Sequence, residues 1–232
     1  MPHNEIEFHP FLNVQLNSIN YDFQNISTLI IGTFPIYEIT TSEPLTNQGV
    51  IRKQEWNNNA FFKYFYGSRK NKFWNIISNC IDVDFPNNSI DCISILNNNG
   101  IFLSDTILST YRKDYDSSDK SLIPVELNSS LVEQINEFSF HSLNKICFTS
   151  DLAKKQFCEI MQLNDEGRNQ SIVINRKLIS LKTLPTPAGN GRTVTHFFNT
   201  YPLSLRELQL KRDNTSYALE YRNRVYLETI FH

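Results

Sequence analysis

The sequence predicts an α/β fold, a three-layer α/β/α sandwich with a central, mainly parallel four-stranded sheet. Short apolar runs that are typical of buried strands alternate along the chain with longer segments whose apolar residues recur at helical spacing. Such alternation is typical of parallel sheets that helices cover on both faces. The 232 residues show no linker or repeat, and single domains routinely reach this length. We therefore expect one domain over residues 1–232.

The first half of the chain contains two predicted strands and two predicted helices. Ser27 to Phe34 is a short Ile-rich run that ends in Gly, Phe and Pro, as a buried strand does. A helix is predicted to start at Asn71, which stands where an N-cap belongs, because apolar residues recur at helical spacing from Phe73 onward. A helix over Ser89 to Asn97 and a strand over Ile101 to Thr106 follow.

The second half repeats the alternation. The patterns predict a helix over Leu131 to Phe138, a strand over Lys145 to Phe148, a helix over Asp151 to Met161 and a strand over Lys177 to Leu184. Ile172 to Asn175 is a candidate for an additional hairpin edge. Two helical patterns occupy residues 203–230, and residues 37–65, which show no clean period, are predicted to form an insertion or lid.

Composition restricts the functional classes. A net charge of -2 argues against a broadly basic nucleic-acid binder, so any phosphate-binding surface must be local. The four cysteines never form a C-x-x-C pair, so we expect no zinc or iron-sulfur centre, and no cofactor is implied. No run of about 18 apolar residues occurs, and the first residues lack the features of a signal peptide. We expect a cytoplasmic monomer that does not bind membranes.

Ligands of open parallel sheets bind outside the carboxyl ends of the strands, where loops converge. The strand exits of this sequence are therefore predicted to lie on one rim and to hold its functional site. They are residues 32–36, 104–106, 149–151 and 184–192.

The residues at these exits resemble the uracil-DNA glycosylase superfamily, and most closely its hypoxanthine-DNA glycosylase branch. The resemblance consists of four motifs in the family's order over residues 27–192: Leu29-Ile-Ile-Gly-Thr-Phe-Pro35, Tyr66-Gly-Ser-Arg-Lys-Asn-Lys-Phe-Trp74, Gly100-Ile-Phe-Leu-Ser-Asp105 and Leu184-Pro-Thr-Pro-Ala-Gly-Asn190. Two departures stand out. Phe34 occupies a position where several branches carry an acid or amide that activates water, and the last motif lacks the His of the best-known branch. The hypoxanthine branch shares the first absence.

The resemblance implies an enzyme that extrudes a deaminated base, such as uracil or hypoxanthine, from DNA and hydrolyses its N-glycosidic bond without a covalent lysine. It implies DNA containing a damaged or modified base as the partner and three sets of site residues. The catalytic residues are Asn71 and Asp105; the base-binding residues are Gly32, Thr33, Phe34, Tyr66 and Phe73; the DNA-binding residues are Arg69, Lys70, Pro185, Thr186, Pro187, Gly189, Asn190 and Arg192.

Both catalytic candidates also have a purely structural interpretation, since Asn71 is a plausible helix cap and Asp105 a plausible strand-end residue. By resemblance, Asp105 faces the Watson–Crick edge of the extruded base. An ionised carboxylate accepts the lactam N–H of uracil or hypoxanthine and disfavours cytosine or adenine. It also opposes the negative charge that the departing base gains, whereas burial favours a protonated Asp105.

Two other functions stay open at this point. One is a non-catalytic nucleic-acid-binding protein on the same fold, which Phe34 and the altered last motif favour. The other is a hydrolase of free nucleosides or nucleotides, which the absence of a broadly basic composition favours.

Overall fold

The computed structural model describes residues 6–12, 15, 22–35, 40, 64–68, 71–113, 118–163, 170–189, 191–213 and 216–232. Eight strands are present in this part of the chain: β1 Glu7–Phe8, β2 Thr28–Gly32, β3 Ile101–Asp105, β4 Ile107–Arg112, β5 Leu122–Leu127, β6 Lys145–Phe148, β7 Ser171–Ile174 and β8 Lys177–Thr183. Most of the predicted insertion over residues 37–65 lies outside the described residues.

The main sheet has five strands in the order β3-β2-β6-β8-β7. β3, β2, β6 and β8 are parallel, and β7 pairs antiparallel with β8 at the edge. The prediction of four strands was therefore one strand short. A two-residue turn joins β7 to β8, and both of its residues, Asn175 and Arg176, have left-handed backbone conformations with φ of 49° and 63°. Asn-Arg is a weaker hairpin signal than Asn-Gly, because Arg rarely adopts positive φ.

Both faces of the main sheet are covered. Consecutive residues of a strand point to opposite faces, and Leu29, Ile30 and Ile31 of β2 are all fully buried. The helices that follow the strands provide the cover: α1 Phe73–Ile81, α2 Ser89–Asn98, α3 Ser130–Phe140, α4 Asp151–Ile160, α5 Leu205–Arg212 and α6 Tyr217–Tyr226. The architecture is thus mixed α/β. None of the helices in the described part of the chain is long and apolar enough to cross a bilayer.

A second, three-stranded sheet in the order β1-β4-β5 is antiparallel and was not predicted. Its strands carry weak sequence signals, since β1 has only two residues and β5 contains Pro124 and is largely exposed. A single residue, Thr106, separates the end of β3 from Ile107 at the start of β4, so one continuous segment contributes a strand to each sheet. The amide of Thr106 donates to the carbonyl of Gly32 at 3.1 Å at this junction.

Helix α1 begins at Phe73, two residues later than predicted, and its N-cap residue is Lys72 rather than Asn71. Helices α2 and α4 have side-chain caps from Asn88 and Ser150, as their sequences suggest.

Candidate functional site

A cavity of about 880 Å³ opens at the carboxyl ends of the parallel strands. Four segments that leave these strands line it: residues 32–35 after β2, Asp105 at the end of β3, residues 149–151 after β6 and residues 186–189 after β8. The sequence predicts that these exits share one rim, and the structure places all four around this cavity. The topology is responsible, because the parallel strands end at the same edge of the sheet.

Asn71 and Asp105, which are 34 positions apart in the chain, both line this cavity. The segment before α1 is tied to the loop after β8 by two backbone contacts. Asn71 forms an isolated antiparallel bridge with Ala188, and the amide of Lys72 donates to the carbonyl of Pro187 at 3.0 Å. The two predicted catalytic residues and the predicted DNA-binding loop therefore surround one space.

The side-chain amide of Asn71 has a defined orientation. Its Oδ1 accepts the backbone N–H of Phe73 at 2.9 Å, and only the oxygen of an amide group accepts a hydrogen bond. Nδ2 is consequently the other atom of the group, and it is the part of the Asn71 side chain that can donate hydrogen bonds to a ligand in the cavity that Asn71 lines. Asn71 thus stabilises the start of α1 and offers donors to the cavity, so the structural and catalytic interpretations are compatible.

Asp105 is 4% exposed and pairs with a histidine that the sequence analysis missed. His9 Nε2 lies 2.8 Å from Asp105 Oδ2, and the backbone N–H of Phe11 donates to His9 Nδ1 at 3.1 Å. Because Nδ1 accepts a hydrogen bond it carries no proton, so we assign the Nε2–H tautomer, in which His9 donates to Asp105. Oδ2 is therefore committed to His9, and Oδ1 is the oxygen left for other partners.

Burial raises the pKa of Asp105 from its ordinary value. The hydrogen bond from His9 and the Gly32 backbone amide oppose this shift, while the nearby charge of Asp119 adds to it. Oδ1 lies close to Gly32, since a Cβ atom added there would stand 2.3 Å from it and 2.7 Å from Tyr66 Oη. Glycine at position 32 thus permits the carboxyl group and the phenol to meet at the bottom of the cavity.

Four of the predicted base-binding residues, Gly32, Thr33, Phe34 and Tyr66, line the cavity, and the fifth does not. Phe73 is fully buried in the core, where its ring stacks on Tyr66 with centroids 4.3 Å apart. Phe73 is the first residue of α1 and points into the core, so the structure does not place it in the wall of the cavity. It supports the ring of Tyr66, whose hydroxyl lies 3.2 Å from Thr149 Oγ1.

The predicted DNA-binding residues have different positions. Thr186, Pro187 and Gly189 line the cavity, whereas Pro185 is buried and Arg192, on the 3-10 helix Gly191–Phe197, is exposed and not part of the lining. The structure thus does not place Pro185 on the surface, because this residue, two positions after the end of β8, is covered by α6. Arg69, Lys70 and Asn190 lie outside the described residues.

The C-terminal helix α6 holds this loop in place. Arg222 is 2% exposed, and its guanidinium donates to the carbonyls of Thr186 at 2.8 Å, Ala188 at 3.0 Å and Gly189 at 3.4 Å. The hydroxyl of Tyr226 donates to the carbonyl of Pro185 at 3.0 Å. A buried arginine that faces backbone carbonyls leaves no periodic signal in the sequence, so sequence analysis did not identify it.

We predict that Arg222→Met destabilises the loop. Each carbonyl left without its donor costs roughly 1–3 kcal/mol if it stays buried, so we expect a thermal midpoint several degrees lower and weaker ligand binding in the cavity. The matched control is Arg224→Met on the same helix, because Arg224 pairs with Glu207 and does not contact the loop. Equal losses of ligand binding in the two variants, measured by titration, would contradict a specific role for Arg222.

The small sheet also contributes to the cavity. The segment after β1 supplies His9, and the connection between β4 and β5 supplies Asp119, whose Oδ1 accepts the hydroxyl of Thr33 at 2.6 Å. Arg112 of β4 pairs with Glu7 and donates to the carbonyl of Pro35 at 2.5 Å, so the small sheet holds the segment after β2 in place.

The lining also includes Ser118, Lys120, His196 and Phe197, which the sequence analysis did not select. The described residues contain no cluster of three side chains suited to a metal ion.

No protein-family model matches this sequence, and no curated protein matches it either. Among solved structures, the chain is similar to a solution NMR structure of a candidate uracil DNA glycosylase from Methanosarcina acetivorans. The likeness covers 91% of this chain and 94% of that chain, with 20% sequence identity and a TM-score of 0.46. At this identity and degree of superposition, the two chains share too little for a function to be transferred from one to the other.

Proposed function

We propose that this protein is a monofunctional DNA glycosylase that hydrolyses the N-glycosidic bond of a deaminated base, of the uracil or hypoxanthine type, extruded from DNA. One observation carries the proposal. Asn71 and Asp105, the two residues that the sequence motifs assign to catalysis, come from different elements and line the same cavity beside residues 186–189.

The cavity wall suits a planar heterocycle. Tyr66 and Phe34 provide aromatic surface, and the ring of Tyr66 is supported from behind by Phe73. Aromatic faces stack on any base, while hydrogen-bonding groups in the pocket discriminate between bases. Asp105 Oδ1 and Asn71 Nδ2 are the groups to which we assign that discrimination.

The protonation of Asp105 determines how it assists the reaction. When the glycosidic bond breaks, its electron pair leaves with the base, and the base gains negative charge. Burial favours the neutral form of Asp105. With Oδ2 accepting from His9, the neutral carboxyl group presents an O–H at Oδ1, which donates to a carbonyl oxygen of the base. The donor stabilises the departing lactam anion, as do the hydrogens of Asn71 Nδ2.

The same hydroxyl at Oδ1 also has lone pairs that accept the lactam N–H. Cytosine and adenine present an acceptor nitrogen and an amino group at the corresponding positions, so they fit this arrangement less well. Selection for a deaminated base therefore follows from a single buried carboxyl group whose second oxygen is already occupied.

The experiment that tests the proposal uses duplex and single-stranded oligonucleotides that carry uracil or hypoxanthine. After incubation with the full chain, alkali cleaves the strand wherever a base has been removed. We expect strand cleavage at the modified position and release of the free base, detected by mass spectrometry. Absence of cleavage for every substrate would contradict the proposal, and binding without cleavage would favour a non-catalytic nucleic-acid-binding protein.

A second candidate, a hydrolase of free nucleosides, is favoured by the charge of the cavity wall. Among the described lining residues are three aspartates, Asp105, Asp119 and Asp151, and one lysine, Lys120. A wall of this kind attracts a polyanion less than a neutral nucleoside. Turnover of free deoxyuridine or deoxyinosine that equals or exceeds the rate on oligonucleotides would favour this candidate over the first.

A further inference from the structure

Hydrolysis of an N-glycosidic bond requires a nucleophilic water in addition to the groups that hold the base. Asp105 cannot perform both tasks, because its Oδ2 accepts from His9 and its Oδ1 faces Gly32 and Tyr66 at the bottom of the cavity. Another side chain of the cavity must therefore orient the water. The described lining contains two further carboxylates, Asp119 and Asp151.

These two carboxylates differ in how firmly they are held. Asp151 is the first residue of α4 and is exposed, and an acid in the first turn stabilises a helix through its dipole. Asp119 is half-buried, and its Oδ1 accepts the hydroxyl of Thr33 at 2.6 Å. Thr33 is itself only 7% exposed and belongs to the segment that leaves β2. Asp119 is therefore held in the wall of the cavity through Oδ1, and Oδ2 is the oxygen that takes no part in this hydrogen bond.

We propose that Asp119 is the general base that orients and deprotonates the water in the reaction of this cavity. The proposal rests on the proposed function and assigns opposite tasks to two carboxyl groups. Asp105, buried beside His9, acts as a proton-bearing donor to the base, and Asp119, nearer the solvent, acts as an acceptor for the water. Separation of two acids by their surroundings is a general way to obtain one acid and one base from the same side chain.

The chemical step balances. A lone pair of the water oxygen forms the bond to C1′ of the deoxyribose, while the bond from C1′ to the base nitrogen breaks and its electron pair leaves with the base. The proton of the water passes to Asp119 Oδ2 and then to solvent. The departing base is stabilised by Asp105 and Asn71 and takes up a proton from solvent. The products are an abasic sugar with a hydroxyl group on C1′ and the free base.

The segment after β2 contains no acid, so the proposed general base comes from another part of the chain. Phe34 occupies the position next to Thr33, and Asp119 enters from the connection between β4 and β5. The connection between two strands of the small sheet thus places a carboxylate next to the segment after β2, which has no carboxylate of its own. The contact between Thr33 and Asp119 could not be predicted from the sequence, because the two residues are separated by 86 positions.

The test compares Asp119→Asn with the matched variant Asp91→Asn in the full chain, on the oligonucleotide that the wild type cleaves best. Asp91 lies in the first turn of α2 and does not line the cavity. General-base catalysis contributes about 100-fold to 10,000-fold, so we expect kcat to fall at least about 100-fold in Asp119→Asn. Its affinity for an oligonucleotide with an uncleavable 2′-fluoro nucleotide should stay within about twofold of the wild type. Asp91→Asn should retain both values.

The pH profile adds a readout that a merely structural role would not move. The pH–rate profiles of the wild type and of Asp119→Asn should differ in shape at acidic pH, because an amide cannot accept the proton of the water. The groups that face Asp119 are Thr33, Asp105 and Tyr66, together with the adjacent Lys120. Of these groups, Asp105 affects the alkaline side of the profile, because excision requires its neutral form.

The outcomes separate this inference from the proposed function. If the wild type excises no base, the proposed function fails. If the wild type is active and Asp119→Asn keeps its rate within about threefold, only the role of Asp119 is overturned. If Asp119→Asn does not fold, Thr33→Val replaces it, because this variant keeps the carboxylate and removes only its hydrogen bond. We then expect kcat about tenfold lower, and an unchanged kcat overturns the inference.

Discussion

Asn71→Asp is expected to lower the rate of base excision by about 100-fold to 1,000-fold without destabilising the protein. The substituted side chain keeps an oxygen for the backbone N–H of Phe73, and a negative charge near a helix N-terminus stabilises the helix by about 0.3–1 kcal/mol. What the variant loses is the NH2 group that faces the cavity. It also places a negative charge beside a base that becomes negative. Single-turnover excision and thermal unfolding, measured in parallel, check both parts.

Two companion variants distinguish catalysis from capping. Asn71→Ala removes the acceptor as well as the donors, so it should lose activity and in addition about 1 kcal/mol of stability. Asn88→Asp makes the same chemical change at the N-cap of α2, where the side chain accepts the amides of Ile90 and Asp91 and does not line the cavity. It should keep full activity. Wild-type rates in Asn71→Asp would show that Asn71 only caps α1.

Asp105→Asn is expected to change base preference far more than it changes stability. The Asn oxygen must accept from His9 Nε2, so its NH2 group turns toward the cavity in place of the O–H of Asp105. The variant keeps a donor for the carbonyl oxygen of the base and loses the acceptor for the lactam N–H. We expect excision of uracil or hypoxanthine to fall about tenfold and discrimination against cytosine and adenine to fall by more.

The pH dependence of the wild type follows from the raised pKa of Asp105. Burial is the main cause of the shift from 3.8, and the surrounding charged or titratable groups are His9, Asp119 and Tyr66. Since the folded chain binds this proton more tightly than the unfolded chain, the contribution of Asp105 to stability is full below pH 3.8. It is lost as pH rises through the folded pKa. The rate of base excision should decline over the same range of pH.

Asp105→Asn should remove both effects, because an amide does not ionise. At neutral and alkaline pH the variant should unfold at the same temperature as the wild type or a higher one, a common result when a buried functional acid is neutralised. Calorimetry and rate measurements between pH 4 and pH 9 check this. A midpoint several degrees lower in the variant would show that Asp105 is mainly structural.

The position of the cavity was predictable from the sequence, because it depends on the strands with the strongest signals. The run at Ser27 to Phe34 and the run at Lys145 to Phe148 are short, apolar and bounded by turn residues, so their carboxyl ends could be located within a few positions. Parallel strands then bring those ends to one edge. Asn71 and Asp105 were found in this way with the help of the family motifs.

The partners of these residues were not predictable. His9 and Asp119 come from segments next to β1 and β5, where a two-residue strand and an exposed, Pro-containing strand show no alternation of apolar and polar residues. Arg222 is a charged residue on an ordinary amphipathic helix, and only the folded loop shows what it contacts. The buried position of Phe73 was not predictable for a similar reason. An aromatic residue at a helix start points either into a pocket or into the core, and periodicity alone does not distinguish the two.

The proposed function requires that Asn71 and Asp105 hold the same extruded base. The crystal structure of the protein with an oligonucleotide that contains 2′-fluoro-deoxyuridine or 2′-fluoro-deoxyinosine measures this directly. We predict a base that has left the stack and lies on Tyr66, with its polar edge about 3 Å from both Asp105 Oδ1 and Asn71 Nδ2. A modified base that stays stacked in the DNA, or that binds where it contacts neither side chain, would contradict the claim.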